Sequence, residues 1–490
     1  MSLYHGNTVT LTSKPRIGIN LEDPSYYMEE VPFTNLGKVI SHWNSSSGGG
    51  FANGLPLPAN SFGYPSGTFP FNHQAMFVLT MGSGHPPGYY NVRWQPTGVA
   101  VTVDGATPNS FTFLKGTGAV HTQLIRVGSG ITSLSVHRSG DPYNDSDQIF
   151  QEPFLRRCRN YEAIRFMNWL NINTDRPLGV TWENRTPSGY YTNSITNGSG
   201  AALEYMVELC NQSQSDLWFC VHHQATNDYI IKCAEFISQR LRPGLKVYLE
   251  HSNEVWNSAF PQFNYSTGVG IGPPAISDTY ARAFAWHVER TSYMASVFKA
   301  SGINTVSVLG VHVANPGFLP FAVSQGATIS GNIDAFAIAP YLGNTFYNLP
   351  HVVSGIKTYG VQWTLGELWR DLYQQRQYIR QWMANCATYG KQLVAYEAGQ
   401  HLGVSAAQHS DTALVDAFVA ANRHQGMYDI YRAFLQMWYE ETGNSLIMLF
   451  NSCQHYDQYG NWGLMEYDNQ PDAPKYRATM DHLAYYRGLS

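Results

Sequence analysis

The sequence predicts an α/β fold, a (β/α)8 TIM barrel with a small β-rich module inserted after its first strand. Three observations carry this expectation. Eight short apolar runs recur along the chain, and helical stretches separate the later ones. Between residues 51 and 150 the pattern changes to alternating runs with Gly, Pro and Asn turns and no helical period. The 490 residues exceed the ~250 of a typical barrel, which leaves room for both parts. An open doubly wound sheet is the alternative. It fits less well, because no Gly-rich phosphate-binding turn follows the first strand.

Arg16-Ile-Gly-Ile-Asn-Leu21 reads as the first buried strand, and residues 1–44 as the start of the barrel with its first strand and helix. Asn44-Ser-Ser-Ser-Gly-Gly-Gly50 reads as a linker into the inserted module, residues 45–150. There Val99, Val101 and Val103 alternate ahead of Asp104-Gly105, and Ile131, Leu134 and Val136 continue the pattern. Residues 151–490 supply the remaining strands, which begin with Ala163–Met167, Leu217–Val221 and Lys246–Leu249. Val306–Leu309, Ile333–Ile338, Gln392–Tyr396 and Leu446–Phe450 complete the set. Strands packed on both faces read as such short continuous apolar runs, and eight of them suit closure into a barrel. Among the crossovers, Tyr280, Phe284, Val288, Ala295 and Phe298 share one helical face, with Ser277 as the expected N-cap and Gly302 as the stop. Trp369–Cys386 and Thr412–Glu441 are further helical stretches.

Composition narrows the function. Hydrophobic residues are 43%, enough for a large core, and no apolar run approaches the ~18 residues of a membrane span. A soluble chain with no membrane partner is expected. Charged residues are only 13%, against a usual ~25%, while aromatics reach 14% with 12 Trp and 32 Tyr. Many flat rings beside few charges suit either a large aromatic core or a surface that stacks on neutral sugars. The net charge is −5 with no basic block, which argues against nucleic acid. Cys158, Cys210, Cys220, Cys233, Cys386 and Cys453 are scattered without metal or redox spacing and read as buried thiols. Met1-Ser-Leu-Tyr-His-Gly6 lacks the regions of a signal peptide, and the compartment stays open between extracellular and virion-associated.

In a barrel of this kind chemistry gathers at the C-terminal ends of the strands. Those ends offer Arg165 with Asn168 and Trp169, then His222 and His223, Asn253-Glu254, His312, Tyr341, Glu397 and Trp462. Two carboxylates on opposite arcs of the mouth suit glycoside hydrolysis, where one protonates the leaving oxygen and the other attacks or activates water. A lone Glu there is more readily a structural ion pair; two among Asn, His, Tyr, Arg and Trp are harder to explain that way. Glu250 shares strand parity with Glu254 and reads as structural, needing a partner such as Arg165 or His251. Asp228, after the His pair, could bind substrate or cap a helix, and the cap is the favoured reading.

Two segments, Tyr248-Leu-Glu-His-Ser-Asn-Glu-Val-Trp-Asn257 and Val394-Ala-Tyr-Glu-Ala-Gly-Gln-His401, resemble the acid/base and nucleophile segments of clan A glycoside hydrolases, the cellulase-like superfamily. The resemblance covers residues 15–44 and 150–490 and not the insert. It implies a retaining enzyme with Glu254 as acid/base, Glu397 as nucleophile, and Asn253 on the hydroxyl next to the anomeric carbon. It further implies that Arg165 and Tyr341 hydrogen-bond the nucleophile and that Trp462 forms a sugar platform. His223, His312 and Trp256 complete the candidate substrate-binding set. One departure is clear: the clan often carries His-x-Tyr at the sixth strand, where this chain has Ala339-Pro-Tyr341. His312 is either the replacement or a core histidine.

No metal or other cofactor is expected. The five histidines His222, His223, His251, His312 and His401 could serve a metal-dependent barrel hydrolase, but the His-x-His that commonly opens such sites is missing. A non-catalytic carbohydrate-binding protein of a surface or tail assembly is the rival from another class, and it would not need two opposed carboxylates. The expected partner is a polysaccharide or oligosaccharide with β-linked bonds. The loops Gly189–Gly200 and Leu342–Tyr347 are expected to shape its subsites.

Overall fold

The computed structural model describes residues 15–47, 57–69, 73–97, 110–118, 120–142, 147–268 and 270–487. Strand β1 (Ile17–Asn20) opens the barrel. Six strands follow before any barrel helix: β2 (Asn44–Ser47), β3 (His73–Met81), β4 (Gly88–Pro96), β5 (Ser110–Lys115), β6 (His121–Val127) and β7 (Ile131–Arg138). The chain then alternates through α1 (Glu152–Cys158), β8 (Ala163–Arg165), α2 (Leu203–Ser213), β9 (Asp216–Val221), α3 (Asn227–Arg240) and β10 (Val247–His251). Helices α4 (Pro261–Ser266) and α5 (Thr279–Ala300) lead to β11 (Thr305–Gly310), and α6 (Phe318–Ser324) leads to β12 (Ala335–Ile338). The last third runs β13 (Tyr341–Leu342), α7 (Pro350–Tyr389, broken by a kink at Gly360), β14 (Gln392–Ala395), β15 (Gly399–Gln400), α8 (Thr412–Arg423), α9 (Gln425–Thr442), β16 (Ile447–Leu449) and α10 (Pro474–Arg487).

Eight of these strands close into a barrel in the order β1-β16-β14-β12-β11-β10-β9-β8, and the pairings recorded around it are parallel. They are the eight apolar runs of the sequence. Side chains alternate between two cores, as strand pleating requires. Trp218, Tyr248, Val308, Val394, Tyr396 and Met448 fill the barrel interior. Their neighbours Leu217, Phe219, Leu249, Leu309, Phe336 and Leu393 face the helices in the main core. No helix among the described residues is long and apolar enough to cross a membrane.

The insert forms two three-stranded antiparallel sheets, β2-β3-β6 and β5-β4-β7, around a core of its own that includes Phe77, Val92, Trp94, Ile125 and Val136. That core extends to Leu36, Ile40 and Tyr191, and so ties the insert to the barrel loops. Several expectations change in detail. The stretch 21–44 holds only a 3-10 turn, Leu36–Val39, and the helix expected there comes after the sheets, as α1. Asn44–Ser47 is a strand paired to β3 rather than linker, because its backbone completes the sheet edge. The Val99–Val103 run, Gly48–Gly50 and the first six residues lie outside the described residues. The loop 189–200 packs on the insert, with Tyr191 N–H donating to Phe62 O at 3.0 Å and Asn193 N–H to Lys38 O at 2.6 Å.

Helix boundaries moved for local reasons. Asp278, not Ser277, caps α5, its carboxylate accepting from Ala281 N–H. Tyr280 at the start of that helix is 58% exposed, while Phe284, Val288, Ala295 and Phe298 are buried. Thr226 caps α3, and Asp228 sits in its first turn, paired with Lys232 at 2.9 Å. Thr412–Glu441 divides at His424, whose extended backbone ends α8 and whose ring accepts from Gly426 N–H. All six cysteines are free and buried.

Candidate active site

The barrel mouth gathers most of the candidate residues around one buried cation. Arg165, the last residue of β8, is 1% exposed. Its Nε and Nη2 donate to Glu250 Oε2 at 2.8 Å and Oε1 at 3.0 Å, a bidentate pair. Nη1 donates to Glu397 Oε1 at 2.7 Å and to Asn20 Oδ1 at 3.0 Å, and Nη2 also reaches Asn253 Oδ1 at 2.9 Å. A charge this deep persists only with such pairing, because burial without partners is prohibitive. Glu250 takes further hydrogen bonds from Trp218 Nε1 at 2.7 Å and Cys220 Sγ at 3.2 Å, which makes it the structural anchor of the guanidinium.

Glu397 follows β14 at the rim. Tyr341 Oη donates to its Oε2 at 2.9 Å, so each carboxylate oxygen has one donor. Burial pushes its carboxyl upward, while Arg165 and the Tyr341 phenol pull it back toward ionisation.

Glu254 is reached differently. Strand β10 ends at His251, and the next residues leave strand geometry: Ser252 has φ 59° and Glu254 φ 38°. Side chains other than glycine occupy this left-handed region at a cost of about 1–3 kcal/mol each. The turn is fixed by Ser252 N–H on Val221 O at 2.7 Å, Asn257 N–H on Glu254 O at 2.8 Å, and Gln262 Nε2 on Asn253 O at 2.6 Å. The Glu254 carboxylate accepts from Tyr396 Oη at 2.8 Å and from Asn257 Nδ2 at 2.7 Å. Burial first, and the nearby Glu397 charge second, raise its carboxyl to about 7. The two glutamates thus differ: no cation bonds Glu254, and Arg165 bonds Glu397.

Asn253 is oriented at both ends, accepting from Arg165 and donating through Nδ2 to Asn173 Oδ1 at 3.1 Å. His222 is committed to Thr174 O at 2.8 Å and to Gln224 N–H at 3.1 Å. His223 is 2% exposed and stacked on His222 at 4.3 Å; neither of its ring nitrogens makes a hydrogen bond, and Nε2 lies 3.7 Å from Asp175 Oδ1. Trp256 and His312 form a ring pair at 4.3 Å beside Asn257, so His312 belongs to the Glu254 side of the mouth. Trp462 packs edge-on to His401 at 5.1 Å, which in turn meets Tyr341 at 5.3 Å. Trp169 is fully buried and Asn168 holds Leu21 O at 2.9 Å, so both are structural.

Sequence reading gave no role to Asn20, Tyr396, Asn257 and Lys475, and considered His401 only as a metal ligand. Tyr396 and Asn257 lie in the quoted segments, but their aim depends on barrel stagger and on the strained turn. Lys475, buried in α10, donates to Asn461 O at 2.7 Å beneath the ring of Tyr456 and so holds the Trp462 loop. Among the described residues, no group of three or more His, Cys, Asp or Glu side chains is placed to hold a metal ion.

No family model matches the chain, and no curated protein sequence does. Among solved structures it is similar to a GH51 arabinofuranosidase from Xanthomonas axonopodis pv. citri, with a TM-score of 0.43 and 10% identity, covering 72% of this chain and 69% of that one. It is also similar to a GH53 catalytic domain from Ignisphaera aggregans, with a TM-score of 0.36 and 13% identity, covering 69% and 91%. A third similar structure is Xylanase10C from Cellvibrio japonicus in complex with xylopentaose, with a TM-score of 0.36 and 10% identity over 90% and 97% of the two chains.

Proposed function

We propose that this chain is a retaining glycoside hydrolase that cleaves β-linked bonds of a polysaccharide or oligosaccharide by double displacement. The observation that carries the reading is the unequal treatment of two carboxylates at one barrel mouth, Glu397 buried and Glu254 half-buried. Glu397, bonded to Arg165 and Tyr341, is kept available as an anion and is assigned as nucleophile. Glu254, raised to about 7, holds a proton for the leaving oxygen and is assigned as acid/base. In the first step Glu397 attacks the anomeric carbon while the Glu254 proton passes to the departing oxygen. In the second, Glu254, now ionised, takes a proton from water, which displaces Glu397 from the sugar. Asn253 is assigned to the hydroxyl next to the anomeric carbon, and His223, His312, Trp256 and Trp462 to the rest of the substrate.

Incubation with a panel of neutral β-glucans, mannans, xylans and galactans, followed by a reducing-end assay, tests the activity. New reducing ends that disappear in Glu397→Ala support the reading. Binding to a glycan without cleavage of any member would favour a carbohydrate-binding protein instead.

A further inference from the structure

Beside Glu254, and outside the barrel axis, lies a cavity of about 560 Å³ between the β10–α4 turn, α5, α6 and the end of β11. Its walls are largely apolar, with Phe263, Phe284, Val311, Phe318, Leu319 and Trp382 among them. Phe284 and Phe318 meet edge to face at 5.8 Å and 90°. Tyr280, which the helical pattern placed in the core, stands exposed and lines the cavity instead. Asn257, which donates to Glu254 Oε2 at 2.7 Å, is also part of the lining. Through Asn257 the space is linked to the carboxyl group assigned to the leaving oxygen.

The volume is far beyond a packing defect and falls within the usual ~300–1,000 Å³ of ligand pockets. A second sugar ring would bring several hydroxyls against these walls. Asn257 is committed to Glu254 and His287 Nδ1 to His251, while Asn315 and Ser258 are exposed. Besides Trp256, His312 and the partnerless Nε2 of His287 are what the lining has left to offer a hydroxyl. Most of those hydroxyls would lose water without gaining a partner. A flat apolar ring has no such cost and meets aromatic walls in the edge and face contacts such rings prefer. The indole Nε1 of Trp256 is buried without a partner and supplies one donor for an oxygen substituent.

The geometry points to a side pocket for an aromatic aglycone of one or two fused rings, so that aryl glycosides join oligosaccharides as a substrate class of this chain, a sugar leaving group being seated on the barrel axis outside this cavity. This rests on the assignment of Glu254 to the leaving oxygen. The test is direct binding of free 4-methylumbelliferone, followed by tryptophan fluorescence and calorimetry, with no sugar present. Saturable one-to-one binding is expected. Ala283→Trp, which fills the cavity from α5, should weaken it by about tenfold or more, and Glu397→Ala should leave it unchanged. Tyr280→Ala, at an exposed position safe for folding, should weaken it by about threefold or more and carries the test if Ala283→Trp melts early. Absence of saturable binding, or equal affinity in these cavity variants, would overturn the pocket assignment. The two readings separate cleanly. Binding without turnover of any glycoside contradicts the hydrolase and leaves the pocket, whereas turnover without binding contradicts the pocket alone.

Discussion

Tyr396 donates its phenol to Glu254 Oε1 at 2.8 Å, although it is the chain neighbour of Glu397, the other carboxylate of the pair. It points into the barrel while Glu397 stays at the rim, so one strand end serves both glutamates. The hydrogen bond favours the ionised form of Glu254. Tyr396→Phe should therefore raise the Glu254 pKa and move the basic limb of the pH–rate profile upward by about one pH unit, the effect of losing one hydrogen bond to a charged group. A pH profile of kcat/KM checks this, and a basic limb that stays in place or falls would show that the bond does not act on Glu254.

Tyr341 acts on the other carboxylate. Removing its donor with Tyr341→Phe makes the Glu397 anion less favourable, so the acidic limb should move to higher pH while the basic limb stays. The rate should fall by about 10–100-fold, the equivalent of one hydrogen bond to a charged group. Matched profiles of wild type and variant read both effects.

Arg165→Met is a harsher change. It should shift the acidic limb in the same direction, but Arg165 also neutralises Glu250, and both side chains are at most 1% exposed. Leaving those carboxylates buried without their cation should cost about 3–5 kcal/mol of stability. Thermal melts of Arg165→Met and Tyr341→Phe should thus separate widely, with the tyrosine variant near wild type.

Glu254 also links stability to pH. Its carboxyl is raised to about 7 in the folded chain, above its unfolded value. The stability it lends is therefore present below the unfolded value and is lost as pH rises through about 7. Glu254→Gln, which cannot ionise, should gain on wild type across that window. The advantage should reach about 2–3 kcal/mol above pH ~8, after allowance for partial exposure, and vanish near pH 4. Denaturant titrations at three pH values measure it.

How far the sequence could be read follows from which features are local. The eight barrel strands were legible because a strand packed inside and outside must be apolar throughout, as Leu217–Val221 is. Glu250 was legible as a structural partner of Arg165 because both lie inside regular strands. Glu254 was not reachable by the same parity argument, since Ser252 and Glu254 break strand geometry with positive φ. Caps slipped by one or two residues, to Asp278 and Thr226, because neighbouring Ser, Thr and Asp compete and backbone geometry decides between them. Tyr280 carried the right spacing for a core face yet lies in the first turn of α5, where it is exposed. Asn20 and Lys475 act across more than 140 and across 14 positions respectively, contacts that no local pattern announces.

The central claim is double displacement through Glu397, and the anomeric configuration of the first-formed product tests it most directly. Proton NMR should be recorded within minutes of adding wild-type enzyme to the first β-glycoside that proves to be a substrate, before mutarotation. The account predicts the β-anomer first, and in Glu254→Ala with azide on an activated aryl β-glycoside it predicts a β-glycosyl azide. First appearance of the α-anomer from wild-type enzyme would contradict it, because a single displacement by water needs the two carboxyl groups ~6.5–9.5 Å apart and no nucleophilic role for Glu397.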